Sequence, residues 1–168
     1  MQLETNRLII TKFSRDMAQV VHRNSLDEDT RRFLPDEVFE TVEDAEETID
    51  YLMSQYEEGN GPLVYPVLLK DKTNIGYVQA VPIENGIWEI GYHNAKQFTG
   101  KGFATEAVTA FLPVIMKQLE IHKIYGICDA ENVASCKVLE NSGFSLEYEG
   151  YGLYQGKTTQ IKKYVRQK

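Results

Sequence analysis

The stretch Gln97-Phe98-Thr99-Gly100-Lys101-Gly102-Phe103-Ala104-Thr105-Glu106-Ala107 constrains the fold more than any other part of the chain. It follows a strand-like run over residues 87–93 and opens the longest apolar helical pattern in the sequence. A chain leaving a strand here must turn tightly into a helix, and two glycines supply the freedom to do so. The first amides of the new helix have no partner inside it, and the helix dipole places partial positive charge there. Such a turn suits a phosphate or pyrophosphate, and Lys101 adds a full charge beside it. It is not a Walker loop, because Gly102 rather than Ser or Thr follows Gly100-Lys101, and it is not the dinucleotide fingerprint, because position 105 is Thr105. On the bare pattern an ordinary strand-to-helix turn fits as well.

Periodicity places the remaining elements. A strand over 7–13 precedes a helix started by Ser14, and Pro35 breaks an acidic, irregular segment. Thr41-Val42-Glu43-Asp44 opens a helix with Ala45, Ile49, Leu52 and Tyr56 on one face, and Gly59-Asn60-Gly61-Pro62 stops it. Three strands follow over 63–69, 75–83 and 86–93, the last two joined by the hairpin signal Asn85-Gly86. The apolar helix runs over 102–119, with Pro113 inside it to bend it or end its regular bonding. A strand over 123–129, a helix over 133–141 ended by Gly143, and a hairpin of 144–148 with 157–166 complete the chain. The pattern predicts one α+β domain over 1–168, a mixed, mostly antiparallel sheet flanked by helices.

Composition narrows the function classes. No apolar run reaches the roughly 18 residues of a membrane span, and Met1-Gln2-Leu3-Glu4 lacks the features of a secretion signal, so a cytoplasmic protein is expected. Cys128 and Cys136 have no metal-ligand spacing; reduced thiols and no resident metal are expected. The net charge of −7 argues against nucleic acid as a partner. The acid is uneven: residues 27–58 carry thirteen acidic and two basic side chains, so the rest of the chain is net positive. That split suits a polyanionic cofactor on the basic part and a cationic acceptor near the acidic part, and equally a solvated acidic helix face. Of the acids, Asp36, Glu37 and Glu40 around Pro35 are the candidates for steering a cation, while Glu43, Asp44, Glu46, Glu47 and Asp50 read as a solvated helix face.

Four segments resemble, in order, the GNAT superfamily of N-acetyltransferases and its ribosomal-protein N-terminal acetyltransferase branch. Leu3-Glu4-Thr5-Asn6-Arg7-Leu8-Ile9-Ile10 is similar to the opening strand and Glu89-Ile90-Gly91-Tyr92 to the fourth strand. Gln97-x-x-Gly100-x-Gly102-x-Ala104 resembles the acetyl-CoA motif, and the segment from Asn132 and Ser135 to Gly143-Phe144 resembles the late helix. The resemblance implies a sheet splayed between the fourth and fifth strands, with the pantetheine arm of acetyl-CoA in the gap and Gly91 marking a bulge where the splay begins. It implies direct acetyl transfer to an amine: a peptide N-terminus, polyamine, amino sugar or small metabolite. Coenzyme contacts are expected from Tyr92, His93, Asn94, Gln97, Phe98, Thr99, Gly100, Lys101, Gly102, Phe103, Ala104, Thr105 and Asn132.

The acceptor amine must be neutral to attack. A lysine-like amine is neutral only about once in two thousand at pH 7, an α-amine about a tenth of the time, so a base matters most for the first kind. Glu89 is the candidate base. It shares a strand face with Gly91 and His93, opposite the apolar Trp88, Ile90 and Tyr92, and a surface carboxylate fits that position too. Ser135 matches the family position that hydrogen-bonds the departing sulfur, and Asn132 the position that contacts the pantetheine amide; both are also ordinary helix caps. Tyr148, Tyr151 and Tyr154 are alternative donors, and Glu147 and Glu149 lie near a late glutamate that some relatives use. The intact glycine turn, Asn132 and Ser135 favour an enzyme over the alternative, a non-catalytic CoA-binding sensor or interaction module, and a monomer and a homodimer are both open.

Overall fold

The computed structural model describes residues 1–84 and 86–168. Eight strands form one sheet in the order β1-β2-β3-β4-β5-β6-β8-β7. They are β1 (Leu3–Glu4), β2 (Leu8–Ile10), β3 (Leu63–Leu69), β4 (Asn74–Glu84), β5 (Ile87–Asn94), β6 (Lys123–Asp129), β7 (Ser145–Tyr154) and β8 (Lys157–Gln167). Every neighbouring pair is antiparallel except β5 and β6. That pair touches in register only at Glu89 and Tyr125, and the two strands then part. This is the expected splay.

Helices α1 (Ala18–Asn24), α2 (Glu28–Phe33) and α3 (Val42–Glu58) precede the meander, and α4 (Phe103–Gln118) and α5 (Val133–Asn141) flank β6 in sequence. The strand β3 explains why helices cover both faces of the sheet. Its unbroken apolar run sends Leu63, Tyr65 and Val67 into the core under α4, and Val64 into a second core with Ala45 and Ile49 of α3. The α4 side chains Val108, Phe111, Leu112 and Ile115 are fully buried, and the helix continues through Pro113. Among the described residues no helix is long and apolar enough to cross a membrane.

Local expectations meet mixed outcomes. The Thr41 hydroxyl accepts from the Asp44 amide (3.1 Å) and starts α3, and Gly143 ends α5 in the left-handed conformation. Gly86 has positive φ, while the Asn85 half of the expected hairpin turn lies outside the described residues. Ser14 precedes only a 3-10 turn, without a side-chain cap. The segment read as irregular contains α2, started by Asp27, whose carboxylate accepts from the Thr30 amide (2.7 Å), and a 3-10 turn at Pro35–Glu37. Gly91 is not a bulge. It stays in register opposite Gln79, and its missing Cβ makes room for the Gln79 side chain, whose Nε2 would lie 2.5 Å from a Cβ there. The pairing of β4 with β5 is irregular only between Pro82 and Glu84.

The two cysteines correct another expectation. Cys128 near the end of β6 and Cys136 in the first turn of α5 form a disulfide, with Cα atoms 6.1 Å apart, rather than two separate thiols. The short loop from β6 into α5 folds the helix back onto its own strand and brings both sulfurs into the core.

Candidate active site

The parting of β5 from β6 opens a cleft of about 480 Å³. Its walls come from α2, the turn after it, β4, β5, the glycine turn, α5 and the end of β7. Strand β5 divides it, because successive side chains leave a strand on opposite sides. Tyr92 points to the α5 side, where its hydroxyl donates to the Ser135 carbonyl (2.7 Å) and lies 3.0 Å from Ser135 Oγ. His93 points to the α2 side, where Nε2 lies 2.8 Å from Thr30 Oγ1 and 3.8 Å from Asp27 Oδ2.

On the α5 side the groups offered are mainly backbone. Gly100 and Gly102 have φ of +73° and +82°, conformations that a side chain with a Cβ resists. The turn is therefore glycine-dependent through backbone strain; a Cβ on Gly100 would meet no protein atom within 4 Å. The Phe98 and Thr99 amides are spent within the turn, on the Ala95 (2.8 Å) and Lys96 (3.2 Å) carbonyls. Asn94, in the amide orientation that satisfies both neighbours, accepts from the Ala104 amide (3.2 Å) and donates to the His93 carbonyl (3.0 Å). The amides of Gly100, Lys101, Gly102, Phe103 and Thr105 find no acceptor among the described residues, and they are the donors the turn holds out. The N-terminus of α5 adds to the same side: Asn132 caps it by accepting from the Ser135 amide (3.2 Å).

The opening segment of the chain braces this turn. Glu106, in the first turn of α4, accepts from the Thr5 hydroxyl (2.6 Å), the Arg7 amide (3.1 Å) and Arg7 Nε (2.8 Å). Arg7 also donates to the Lys101 carbonyl (3.0 Å) and lies 4.3 Å above the Phe103 ring. Burial opposes ionisation of Glu106, and the Thr5 and Arg7 hydrogen bonds outweigh it and hold the carboxyl below its usual range.

On the α2 side the groups are side chains. Glu89 lines the cleft, and its carboxylate makes no hydrogen bond among the described residues. Burial, reinforced by the charge of Glu37 and partly offset by Lys163, pushes it up to about 7. Glu37 accepts from the Tyr77 hydroxyl and from Gln79 Nε2 (3.3 Å), and burial raises its carboxyl as well. The Tyr77 ring stacks on His93 with centroids 5.6 Å apart. Asp27 is held at about 2, chiefly by its interaction with His93. Tyr154 lines the same region with its hydroxyl shifted upward by burial, and so stays protonated.

Set against the sequence expectations, Glu89, Ser135 and Asn132 line one cleft together with Tyr92, Asn94, Phe98, Thr99, Gly100, Gly102, Phe103, Ala104 and Thr105. Gln97 and Lys101 are exposed and outside the lining; Lys96 and Lys137 are the lysines within it. His93, also expected at the coenzyme, lines the same cleft, with its ring turned to the α2 side. Tyr154 is in the lining, while Tyr148 and Tyr151 are exposed on the hairpin, where the Tyr148 hydroxyl bonds the Tyr151 carbonyl (2.6 Å). Glu149 lies 3.9 Å from Lys162, and neither it nor Glu147 reaches the cleft. Of the three acids around Pro35, only Glu37 lines the cleft: Asp36 is exposed, and Glu40 pairs with Arg31 (2.7 Å). The sequence reading missed Thr30, Tyr77 and Gln79. Only Thr30 had a local signal, as the third residue after a capping Asp27.

The family described as acetyltransferase (GNAT) domain matches residues 7–145. The uncharacterized N-acetyltransferase YnaD of Bacillus subtilis (strain 168) is 29% identical over 149 residues, which cover 88% of this chain and 84% of that protein. A GNAT-family acetyltransferase structure from Bacillus anthracis has a TM-score of 0.84 and 25% identity, covering 99% of this chain and 98% of that one. RimL, a ribosomal α-N-protein acetyltransferase solved in complex with coenzyme A, shares the fold with a TM-score of 0.85 at 18% identity, over 99% and 98% of the two chains. With the splayed sheet, the glycine turn and a match over most of its length, the chain belongs to the GNAT family of acetyltransferases.

Proposed function

We propose that the protein moves an acetyl group from acetyl-CoA to a primary amine by direct attack. The carrying observation is that one cleft holds Glu89 on one side of β5 and the Tyr92–Ser135 pair on the other, beside the open amides of the glycine turn. The residues fit the coenzyme: Gly100 to Phe103 and Thr105 hold out amides for its phosphates, Lys96 and Lys137 add charge, and RimL of the same fold binds coenzyme A. Acetyl-CoA supplies the acetyl thioester, whose C–S bond breaks as the new C–N bond forms.

Glu89 takes the proton that the amine must lose. A carboxylate titrating at about 7 is ionised for a useful fraction of the time at neutral pH and is a far better base than an ordinary one. On the other side, the Tyr92 hydroxyl already donates to the Ser135 carbonyl, so the Ser135 hydroxyl is the mobile donor for a developing thiolate. Thiolates are stable enough near neutral pH to need a hydrogen bond rather than full protonation. The test is release of free thiol from acetyl-CoA with a panel of amines. Thiol release that needs no amine, or none with any amine, sinks this reading in favour of a hydrolase or a non-catalytic CoA-binding module.

A further inference from the structure

We propose that Glu37 selects acceptors carrying a second positive charge, so that the preferred substrate is a diamine-like molecule with one amine at Glu89 and another cationic group at Glu37. This rests on the transferase reading above and goes beyond it in naming the acceptor class.

The argument starts from how Glu37 is held. Its 3-10 turn, Pro35–Glu37, carries the carboxylate onto the face of β4 that also presents Tyr77 and Gln79. Gly91 exists as glycine there because any Cβ would collide with Gln79, so the β5 backbone itself preserves the donor that fixes Glu37. The carboxylate is thus aimed by two neutral donors from a rigid strand. Its neighbours in the acidic segment are paired directly, Glu40 with Arg31 (2.7 Å) and Asp27 with His93 (3.8 Å), while His93 acts on Glu37 only through its charge and does not bond it. Among the described residues no Lys or Arg pairs with Glu37.

A carboxylate offers about four acceptor positions. Tyr77 takes one on Oε2 and Gln79 one on Oε1, so acceptor capacity remains on both oxygens. The same cleft holds Glu89, which makes no hydrogen bond among the described residues; of these, Lys96 and Lys137 are the lysines in the lining, from the glycine turn and α5, and Lys163 acts on Glu89 through its charge from outside the lining. Two partly buried carboxylates on one wall raise each other's cost of ionisation, and both are shifted upward by burial. A ligand with one ammonium would relieve one of them; a ligand with two would relieve both. The apolar Phe33 and Leu34 and the ring of Tyr154 line the same space and suit the methylenes between the charges.

The experiment compares kcat/KM for diaminobutane, diaminopentane and diaminohexane with the n-alkylamines of equal length, read by thiol release. We expect the best diamine to exceed its monoamine by at least about tenfold, beyond the about twofold that two equivalent amines give by statistics. Raising the salt should shrink the ratio. Glu37→Gln should bring the ratio near the statistical value and move the rising limb of the pH profile to lower pH, since the charge that helps hold Glu89 up is gone. A wild-type enzyme that acetylates both amines equally well overturns the inference while the transferase reading stands. A ratio that survives in a Glu37→Gln protein with wild-type melting overturns the assignment to Glu37. If that variant does not fold, Glu37→Asp decides: the shortened carboxylate should shift the optimum to a longer diamine, and an unmoved optimum rejects the proposal. Thiol release with no amine at all sinks the transferase reading instead.

Discussion

The two halves of the cleft are built by different means. The α5 side, where we place the coenzyme, offers backbone: five amides in one glycine turn, and the capped start of α5. The α2 side, where we place the acceptor, offers side chains gathered from distant parts of the chain, with Thr30 meeting His93 and Glu37 meeting Tyr77 and Gln79. Backbone donors read a phosphate group, which is the same whatever the acceptor is. Side chains read what differs between acceptors, and a carboxylate that is changed or lost changes the substrate and leaves the fold intact. The family match and the relatives' names accordingly give the class of reaction, N-acetyl transfer, and not the acceptor.

The comparison is most sharply broken at Glu89, on the α2 side, which we propose as the base. Glu89→Gln should lower turnover at neutral pH by about a hundredfold or more, with coenzyme affinity by calorimetry unchanged. In the wild type, kcat/KM should rise with pH through a midpoint at about 7, because the ionised carboxylate is the active form. The loss caused by Glu89→Gln should shrink at alkaline pH, where acceptor amines shed their own protons. A constant ratio of wild-type to variant rates across that range would remove the base role.

The same substitution has an opposite effect on stability. Glu89 ionises at about 4.5 in an unfolded chain and at about 7 in the folded protein. Between those values the unfolded chain sheds a proton that the folded protein keeps, so wild-type stability falls as pH rises through the window. Glu89→Gln lacks that penalty. Its advantage in denaturant melts should be absent below about pH 4.5 and reach as much as about 3 kcal/mol above pH 7. Equal stabilities at pH 5 and pH 8 would show that Glu89 is well solvated.

The coenzyme half should break at Gly102. At φ +82° a valine imposes strain of about 1–3 kcal/mol, so Gly102→Val should weaken coenzyme binding by roughly tenfold to a hundredfold. Lys101→Ala, at an exposed position outside the cleft lining, should change it far less. If the lysine matters more than the glycine, charge rather than backbone geometry holds the coenzyme.

This division also explains what was legible in the sequence. The β5–turn–α4 unit is contiguous, and its glycines, strand alternation and apolar stripe each have a local cause, so the fold and the glycine-turn wall of the cleft could be read from it. Glu89 was legible through strand parity alone. Parity along β5 also puts the His93 ring on the same side as Glu89, where it meets Thr30. Glu37, Tyr77 and Gln79 could not be grouped, since their meeting depends on a short helix and a 3-10 turn inside a segment that looked irregular. The disulfide was missed for a similar reason: the spacing of Cys128 and Cys136 says nothing until α5 folds back on β6.

The smallest predicted effect tests whether the coenzyme half is as self-contained as its sequence suggests. Glu106 ties Thr5 and Arg7 to the first turn of α4, and Arg7 in turn holds the Lys101 carbonyl. The Arg7–Glu106 pair is solvent-accessible, so the ion pair contributes no more than about 1 kcal/mol by itself. The bond from the Thr5 hydroxyl is better shielded than the exposed one from the Arg7 amide, and losing it adds a similar amount. Glu106→Ala should therefore lower Tm by a few degrees, about 2–4 °C for each kcal/mol in a domain of this size. Because Arg7 would then no longer be held against the turn, coenzyme binding should weaken a few-fold, while the preference between diamines and monoamines stays the same. A changed amine preference would mean that the brace reaches across β5 and that the two halves of the cleft are mechanically one.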